Sequence, residues 1–236
     1  MHAGILIALG VLASAAQAQQ QSVSVRVKFE GAPLPNTSAR WRDQEGLPPD
    51  HSLLVSSKGG LANVVITLDE SVPRGVATTH HWKVVDGEAE PRILKMEPGD
   101  TVEVSSDDDR RYSFAVHPYS GREGNFIPPP FSWKFSENEP LPFEMTCNLQ
   151  PWFKAWIVVS DSVYAISDKV GKCELPLKVS GKRRIKVWHE RRSELEFQIG
   201  EKQLTRSSAE VNLTPGGTLT IVVRAKPAVK RTGIEP

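Results

Sequence analysis

Cysteine is scarce in this chain, with two among its 236 residues. This number excludes a disulfide-dense scaffold and a four-cysteine zinc site. An excess of charge of either sign is also missing, because 29 Lys and Arg against 28 Asp and Glu leave a net charge of +1. Proteins dedicated to nucleic acids carry a strong basic excess, so this balance argues against a nucleic-acid partner.

Long hydrophobic runs are missing too, apart from one at the N-terminus. Residues 3–16 form an uncharged apolar run, shorter than the roughly 20 residues that a membrane span needs. Ala16-Gln17-Ala18 follows, with small residues at the two positions that a signal peptidase reads. We therefore predict a signal peptide at 1–18, an exported periplasmic or extracellular protein, and no transmembrane segment in the mature chain. A buried N-terminal helix is the alternative.

Turn-forming residues and short alternating segments are abundant. The chain has 18 Pro and 17 Gly, and Val23, Val25, Val27 and Phe29 alternate with polar residues. Period two with β-branched residues is typical of a half-buried strand. Similar runs recur at 101–104, 143–147, 155–159, 185–187, 195–199, 211–213 and 219–223. Residues 69–91 are expected to be irregular and 118–142 a long ordered loop. No convincing helical stripe appears, so the pattern predicts an all-β protein built of sandwiches.

One segment carries a family resemblance. The stretch from Cys147 to Trp156 reads Cys-Asn-Leu-Gln-Pro-Trp-Phe-Lys-Ala-Trp. It resembles the copper loop Cys-x-x-His-Pro-Trp-Met-Lys-Ala-aromatic of secreted, plastocyanin-like bacterial cupredoxins, often labelled methylamine utilisation proteins. Residues 60–65, 91–93, 98–104 and 163–168 resemble further stretches of that family. The Trp-His-Glu at 188–190 resembles its C-terminal strands, which look like a carboxypeptidase-regulatory or transthyretin-like β-module.

The resemblance implies the domain organisation. A cupredoxin-like Greek-key sandwich is expected over residues 19–160, after the signal peptide at 1–18. A smaller transthyretin-like or carboxypeptidase-regulatory-like β-module is expected over 161–226, and a flexible tail over 227–236.

The resemblance also implies blue copper and electron transfer, but the ligand positions are mostly replaced. Such a site uses one Cys thiolate, two His imidazoles and a weak axial Met. Cys147 stands at the thiolate position, whereas Gln150 replaces one His, Phe153 replaces the Met and Arg111 falls where the other His belongs. We therefore predict a degenerate copper site with no metal or other cofactor. The alternative is a copper-binding electron-transfer protein with unconventional ligands, such as Cys147 and His117.

No catalytic residues are predicted, and we expect the chain not to be an enzyme. A Cys147 nucleophile would need a base such as His189, but the resemblance gives that histidine a structural place. Asp107-Asp108-Asp109 is more typical of a solvated turn than of a calcium site, because Arg110 follows directly. Whether Cys147 forms a disulfide with Cys173 is left open by the sequence.

Aromatic residues are concentrated around the loop resembling the copper loop. They are Phe126, Phe131, Trp133, Phe135, Trp152, Phe153 and Trp156. Core packing accounts for at least half of such a group, and the exposed members can form a binding patch. The sequence therefore predicts an exported, non-enzymatic binding or structural module of the cell envelope, whose partner is a protein or small ligand at this end.

Overall fold

The structure is a computed structural model that describes residues 22–32, 34–35, 50–121 and 126–227. The predicted signal peptide and nearly all of the predicted tail lie outside these residues. The described residues form strands, turns and loops without a helix, which confirms the all-β prediction. Among them, no helix has the length and apolar character needed to cross a membrane.

Eight strands from the middle of the chain form one sandwich, called here the middle sandwich. One sheet has the order β4-β3-β6-β8 and the other β5-β10-β9-β7. The strands are β3 (Thr79–Val85), β4 (Glu88–Glu90), β5 (Ile93–Met96), β6 (Thr101–Ser106), β7 (Phe114–Val116), β8 (Phe131–Lys134), β9 (Phe143–Cys147) and β10 (Lys154–Val159). The expectation of irregular chain at 69–91 and of a loop throughout 118–142 is therefore wrong, since β3, β4 and β8 lie there.

Strands from both ends of the chain form the other sandwich, called here the terminal sandwich. Its sheets have the orders β12-β1-β17-β14-β15 and β11-β2-β13-β16. The strands are β1 (Ser22–Glu30), β2 (Val65–Ser71), β11 (Ser162–Ile166), β12 (Lys172–Pro176), β13 (Gly181–Trp188), β14 (Leu195–Ile199), β15 (Lys202–Gln203), β16 (Ser208–Leu213) and β17 (Thr218–Ala225).

This pairing groups the strands differently from the predicted division at residue 160. β1 runs parallel to β17 and antiparallel to β12, and β2 pairs with β11 and β13. Val25 and Val27 on the apolar face of β1 are 0% and 1% exposed, because the facing sheet covers them, whereas β12 and β17 bind the backbone of β1 at its two edges. Alternation along a strand predicts a buried face but does not specify which strands supply the neighbours.

The two sandwiches pack face to face through a small apolar cluster. Side chains alternate along β10, so that Ile157 points into the middle sandwich while Val158 points towards the terminal one. The same alternation on β2 sends Ile66 into its own core and Val65 into the contact. The four sheets therefore stack as four layers, with an apolar core inside each sandwich and a third between them.

A buried ion pair crosses the same contact. The guanidinium of Arg92, just before β5, donates two hydrogen bonds to the carboxylate of Glu190, just after β13, at 2.7 and 2.8 Å. The two side chains are only 16% and 5% exposed. Burial alone lowers the pKa of Arg92, but the hydrogen bond and charge of Glu190, together with the charges of Glu88 and Asp50, raise that pKa above its ordinary value. Arg92 is therefore charged at neutral pH.

The chain leaves the terminal sandwich and returns to it at neighbouring points. Ser71, the last residue of β2, pairs with Ser162, the first residue of β11. The backbone N–H of Val72 donates to the carbonyl of Asp161 at 2.7 Å. The whole middle sandwich is therefore an insertion between two adjacent antiparallel strands.

Candidate functional site at the copper-loop positions

Residues 148–153 connect β9 to β10 by a tight turn that is tied to the segment before β7. The backbone N–H of Phe153 donates to the carbonyl of Gln150 at 2.9 Å, which closes the turn. The N–H of Asn148 donates to the carbonyl of Ser113 at 3.2 Å. The two segments that carry the predicted copper positions therefore lie side by side.

Cys147 ends β9 at this junction. It is 4% exposed and lies opposite Phe114 in the sheet. Its Sγ accepts a hydrogen bond from the backbone N–H of Ser113 at 3.3 Å. The thiol is therefore held inside the middle sandwich, where an apolar side chain in its place would leave that N–H without its acceptor.

Gln150 contacts the backbone of Arg111, and the two side chains do not form a shared ligand site. The Gln150 side-chain nitrogen donates to the Arg111 carbonyl at 3.1 Å. Arg111 itself is exposed. The side-chain amide of Gln150 thus links the 148–153 turn to the segment before β7 by a hydrogen bond.

Phe153 is part of the core. It is 2% exposed, and its ring centroid lies 4.9 Å from that of Phe114 and 6.4 Å from that of Tyr112. Dispersion and burial stabilise such a ring by several kcal/mol, about 3–5 by comparison with truncation to alanine. Phe153 therefore contributes packing at the position where the resemblance expects a thioether ligand.

His117 does not approach Cys147 from the same side of the sheet. It is exposed, and its Nε2 lies 2.9 Å from the hydroxyl of Thr146. Thr146 and Cys147 are consecutive in β9, so their side chains point to opposite faces. The structure thus brings Cys147, Gln150, Arg111 and Phe153 into one region and leaves His117 outside it.

The donor set of this region does not fit a blue-copper ion. Such an ion requires a thiolate and two imidazoles. The four positions supply one thiol, one amide, one guanidinium and one phenyl ring. Among the residues that the structure describes, no group of three or more His, Cys, Asp or Glu side chains could hold a metal ion.

The two cysteines are free and lie in different sandwiches. Cys147 faces the core of the middle sandwich, whereas Cys173 lies on β12 of the terminal one, opposite Val25. Burial, followed by the charges of Asp168 and Glu174, raises the pKa of Cys173 to about 12. The structure therefore contains no bond between these thiols.

The aromatic group divides between core and surface. Phe126 is 50% exposed, whereas Phe131, Trp133 and Phe135 are partly buried against the core of the middle sandwich. Trp152 is partly buried. Trp156 packs edge-on against Trp188 between the sandwiches, with ring centroids 4.9 Å apart. Leu149, which was not part of the predicted group, is also 50% exposed at this end.

His189, Arg191 and Glu194 form a polar cluster beside the contact between the sandwiches, and the sequence did not predict this cluster. His189 is 1% exposed, and its Nδ1 accepts a hydrogen bond from the backbone N–H of Arg191 at 3.2 Å. Arg191 is buried and binds the carboxylate of Glu194 with two hydrogen bonds, at 2.9 and 2.7 Å. Burial, and then the charges of Arg191 and Arg92, lowers the pKa of His189 to about 3.

This lowered pKa predicts a specific loss of stability in mild acid. Between pH 6.5 and 3 the unfolded chain binds a proton at His189 that the folded chain does not, so stability falls as the pH falls. The contribution approaches about 1.4 kcal/mol per pH unit below pH 6. Urea unfolding at pH 7, 6 and 5 should therefore show a steeper decline than in His189→Gln. His81→Gln, at a side chain that is 77% exposed, is the control. Equal slopes for the wild type and His189→Gln would contradict this role.

Comparison with known proteins gives structural likenesses only. No family model matches the chain, and no curated protein matches it. A purple cupredoxin from Nitrosopumilus maritimus is 19% identical, covering 34% of this chain and 99% of that one, with a TM-score of 0.29. A copper-containing nitrite reductase from Thermus scotoductus is 19% identical, covering 39% and 25%, with a TM-score of 0.30. A pseudoazurin from Sinorhizobium meliltoi is 16% identical, covering 35% and 74%, with a TM-score of 0.31.

The strand arrangement confirms the fold class. Two four-stranded sheets enclose one apolar core in the middle sandwich, and strands β3 and β6, like β5 and β10, pair in parallel although most other pairs are antiparallel. Such pairs require chain to cross between the sheets, as in a Greek-key arrangement. The chain is all-β, and its middle strands form a sandwich with this arrangement.

Proposed function

We propose that this chain is an exported, non-enzymatic, cupredoxin-like protein with a degenerate copper site, which serves as a binding or structural module of the cell envelope. The observation that carries the proposal is the ring of Phe153, which packs against Phe114 and Tyr112 at 2% exposure. A side chain committed to the core at the axial position supports a role in packing instead of metal binding. The hydrogen bond from the Gln150 side chain to the Arg111 carbonyl also supports a structural role for this position.

The partner is proposed to bind at the end that carries the 148–153 loop. Phe126 and Leu149 are each 50% exposed there. Ile127, next to Phe126, exchanges backbone hydrogen bonds with Phe114, which pairs with Cys147. The two exposed apolar side chains therefore flank the same strand end. A protein or small ligand with an apolar contact face fits such a surface.

Copper titration tests the degenerate site. The protein should remain colourless when copper(II) is added, because a thiolate without two imidazoles cannot form the trigonal site that gives the blue band. Cys147→Ala should leave the metal content of the purified protein unchanged. The triple variant Arg111→His, Gln150→His, Phe153→Met should move the protein towards blue copper. Stoichiometric copper with intense blue absorption that Cys147→Ala abolishes would favour the alternative, an electron carrier with unconventional ligands.

Export is tested on protein from the native cell. Mass spectrometry should find a mature N-terminus at Gln19, since Ala16-Gln17-Ala18 supplies the small residues of a cleavage site. The fractionated periplasm or medium should contain the mature chain. Intact Met1 in the cytoplasmic fraction would contradict the proposal.

A further inference from the structure

Tyr112 is a buried phenol bound to a carboxylate. It is 3% exposed, and its hydroxyl donates to Oδ2 of Asp108 at 2.7 Å. The same hydroxyl accepts a hydrogen bond from the backbone N–H of Gly87 at 2.9 Å. The phenol therefore has its proton directed at one specific base, within the range of distances over which a positioned base takes a proton.

Asp108 is kept ionised for this task. Backbone N–H groups of Asp86 and Arg110 donate to its two oxygens at 2.6 and 2.9 Å. Burial opposes ionisation, but the hydrogen bonds from Tyr112 and from these backbone groups hold the pKa of Asp108 below its ordinary value. The carboxylate is therefore available as a proton acceptor at neutral pH.

A line of ring contacts connects this phenol to the surface. Tyr112 stacks on Phe114 with centroids 5.2 Å apart, Phe114 lies 6.0 Å from Phe131, and Phe131 lies 4.3 Å from Trp133. Trp133 is partly exposed on β8. Tryptophan and tyrosine are the side chains of this line that lose an electron most readily. Phe114 and Phe131 lie between Tyr112 and Trp133, so that each step between neighbouring rings is short.

We propose that Tyr112 is a redox-active tyrosine, from which a one-electron oxidant at Trp133 withdraws an electron through the ring line while the phenol proton passes to Asp108. The oxidant gains one electron. Tyr112 loses one electron and one proton and becomes a neutral phenoxyl radical, and Asp108 becomes a carboxylic acid. Return of an electron and of that proton restores both groups. The oxidants that fit are diffusible one-electron oxidants, such as inorganic radicals or oxidised metal complexes.

The hydrogen bond to Asp108 lowers the free energy needed to oxidise Tyr112. A phenol that loses an electron becomes a very strong acid, so oxidation is much easier where a base can take the proton at once. The chain provides its own comparison, because Tyr164 is also buried but donates to the backbone carbonyl of Met96 at 3.2 Å. A peptide carbonyl is a far weaker base than a carboxylate. Tyr164 is therefore expected to resist the oxidation that Tyr112 undergoes.

The experiment uses the full chain and photogenerated tris(bipyridine)ruthenium(III), with transient absorption and freeze-quench electron paramagnetic resonance as readouts. The chain has three tyrosines, and Tyr119, which is 51% exposed, is replaced by Phe in every sample to remove direct surface oxidation. In this background a neutral tyrosyl radical is expected. Tyr112→Phe should remove most of its signal, whereas the matched Tyr164→Phe should retain it. A radical that survives Tyr112→Phe, or that Tyr164→Phe removes equally, would overturn the assignment.

Two further variants separate the proton acceptor from the electron path. Asp108→Asn should slow radical formation by about 100-fold, since it removes the positioned base while keeping a similar shape. Trp133→Phe should slow it as well, and an unchanged rate would overturn the route through the ring line. If Asp108→Asn does not fold, radical formation in the otherwise unchanged protein is compared in H₂O and D₂O. Slower formation in D₂O is expected, and equal rates would overturn the transfer of the proton.

Discussion

Arg92→Ala is expected to lower the free energy of unfolding by about 3–5 kcal/mol, because it leaves a buried carboxylate without its partner. Glu190 is 5% exposed and takes both of its strong hydrogen bonds from Arg92. Equilibrium unfolding in urea at pH 7 measures the loss.

The control is an ion pair at the surface of the same protein. Arg224 and Glu30 join β17 to β1 with side chains that are 46% and 49% exposed, and Arg224→Ala should cost only about 0.2–1 kcal/mol. The double variant Arg92→Leu, Glu190→Leu should recover most of the loss, since apolar pairs often replace buried ion pairs without penalty. Equal losses for Arg92→Ala and Arg224→Ala would show that burial of the first pair carries no extra energy.

Excision of the middle sandwich is expected to leave a folded terminal sandwich. Replacing residues 72–161 by Asn-Gly would join β2 to β11 as a hairpin, because Ser71 and Ser162 already face each other across the strand pair. A two-residue Asn-Gly loop is the favoured connection at such a point. Every strand of the two terminal sheets is retained. A dispersed NMR spectrum and cooperative unfolding would be the result expected.

Some stability must be lost in this variant. Val65, Tyr164 and Trp188 pack in the cluster between the sandwiches and would become exposed. At about 25 cal/mol per Å² of apolar surface, three such side chains account for several kcal/mol. The reciprocal piece, residues 79–159, should fold as well. If neither piece folds, the two sandwiches form a single cooperative unit and the division proposed here is incorrect.

The sequence predicted the strands whose apolar residues alternate, and it did so for a physical reason. Val23 to Phe29 and Phe143 to Cys147 each bury one face of a sheet, and both are strands in the structure. Strand β3 was missed because its segment, Thr-His-His-Trp-Lys-Val-Val, is polar on the exposed face and contributes only Trp82 and Val84 to the core. Two apolar side chains are too few to stand out in a polar stretch.

The candidate site was predicted only as a set of positions. The loop motif located Cys147, Gln150 and Phe153, which lie close together because they belong to one short segment of the chain. It could not show that Gln150 would turn its amide to a backbone carbonyl, which depends on a segment almost forty residues away. The cluster around His189 had a weak signal, since Arg191 and Glu194 are three residues apart. Its partner Arg92 is distant in sequence, and only the packing of the sandwiches brings it close.

The parallel pairing of β1 with β17 has a consequence for synthesis. β1 is the first and β17 the last of the described strands to leave the ribosome, so at about 5–20 residues per second β1 waits on the order of ten seconds or more for β17. The middle sandwich has all its strands available well before then. Through that interval β12 can pair with one edge of β1, but the other edge lacks β17, and an unpaired strand edge is prone to associate with other chains. Nascent chains of this protein are therefore expected to depend on a holding chaperone until β17 emerges.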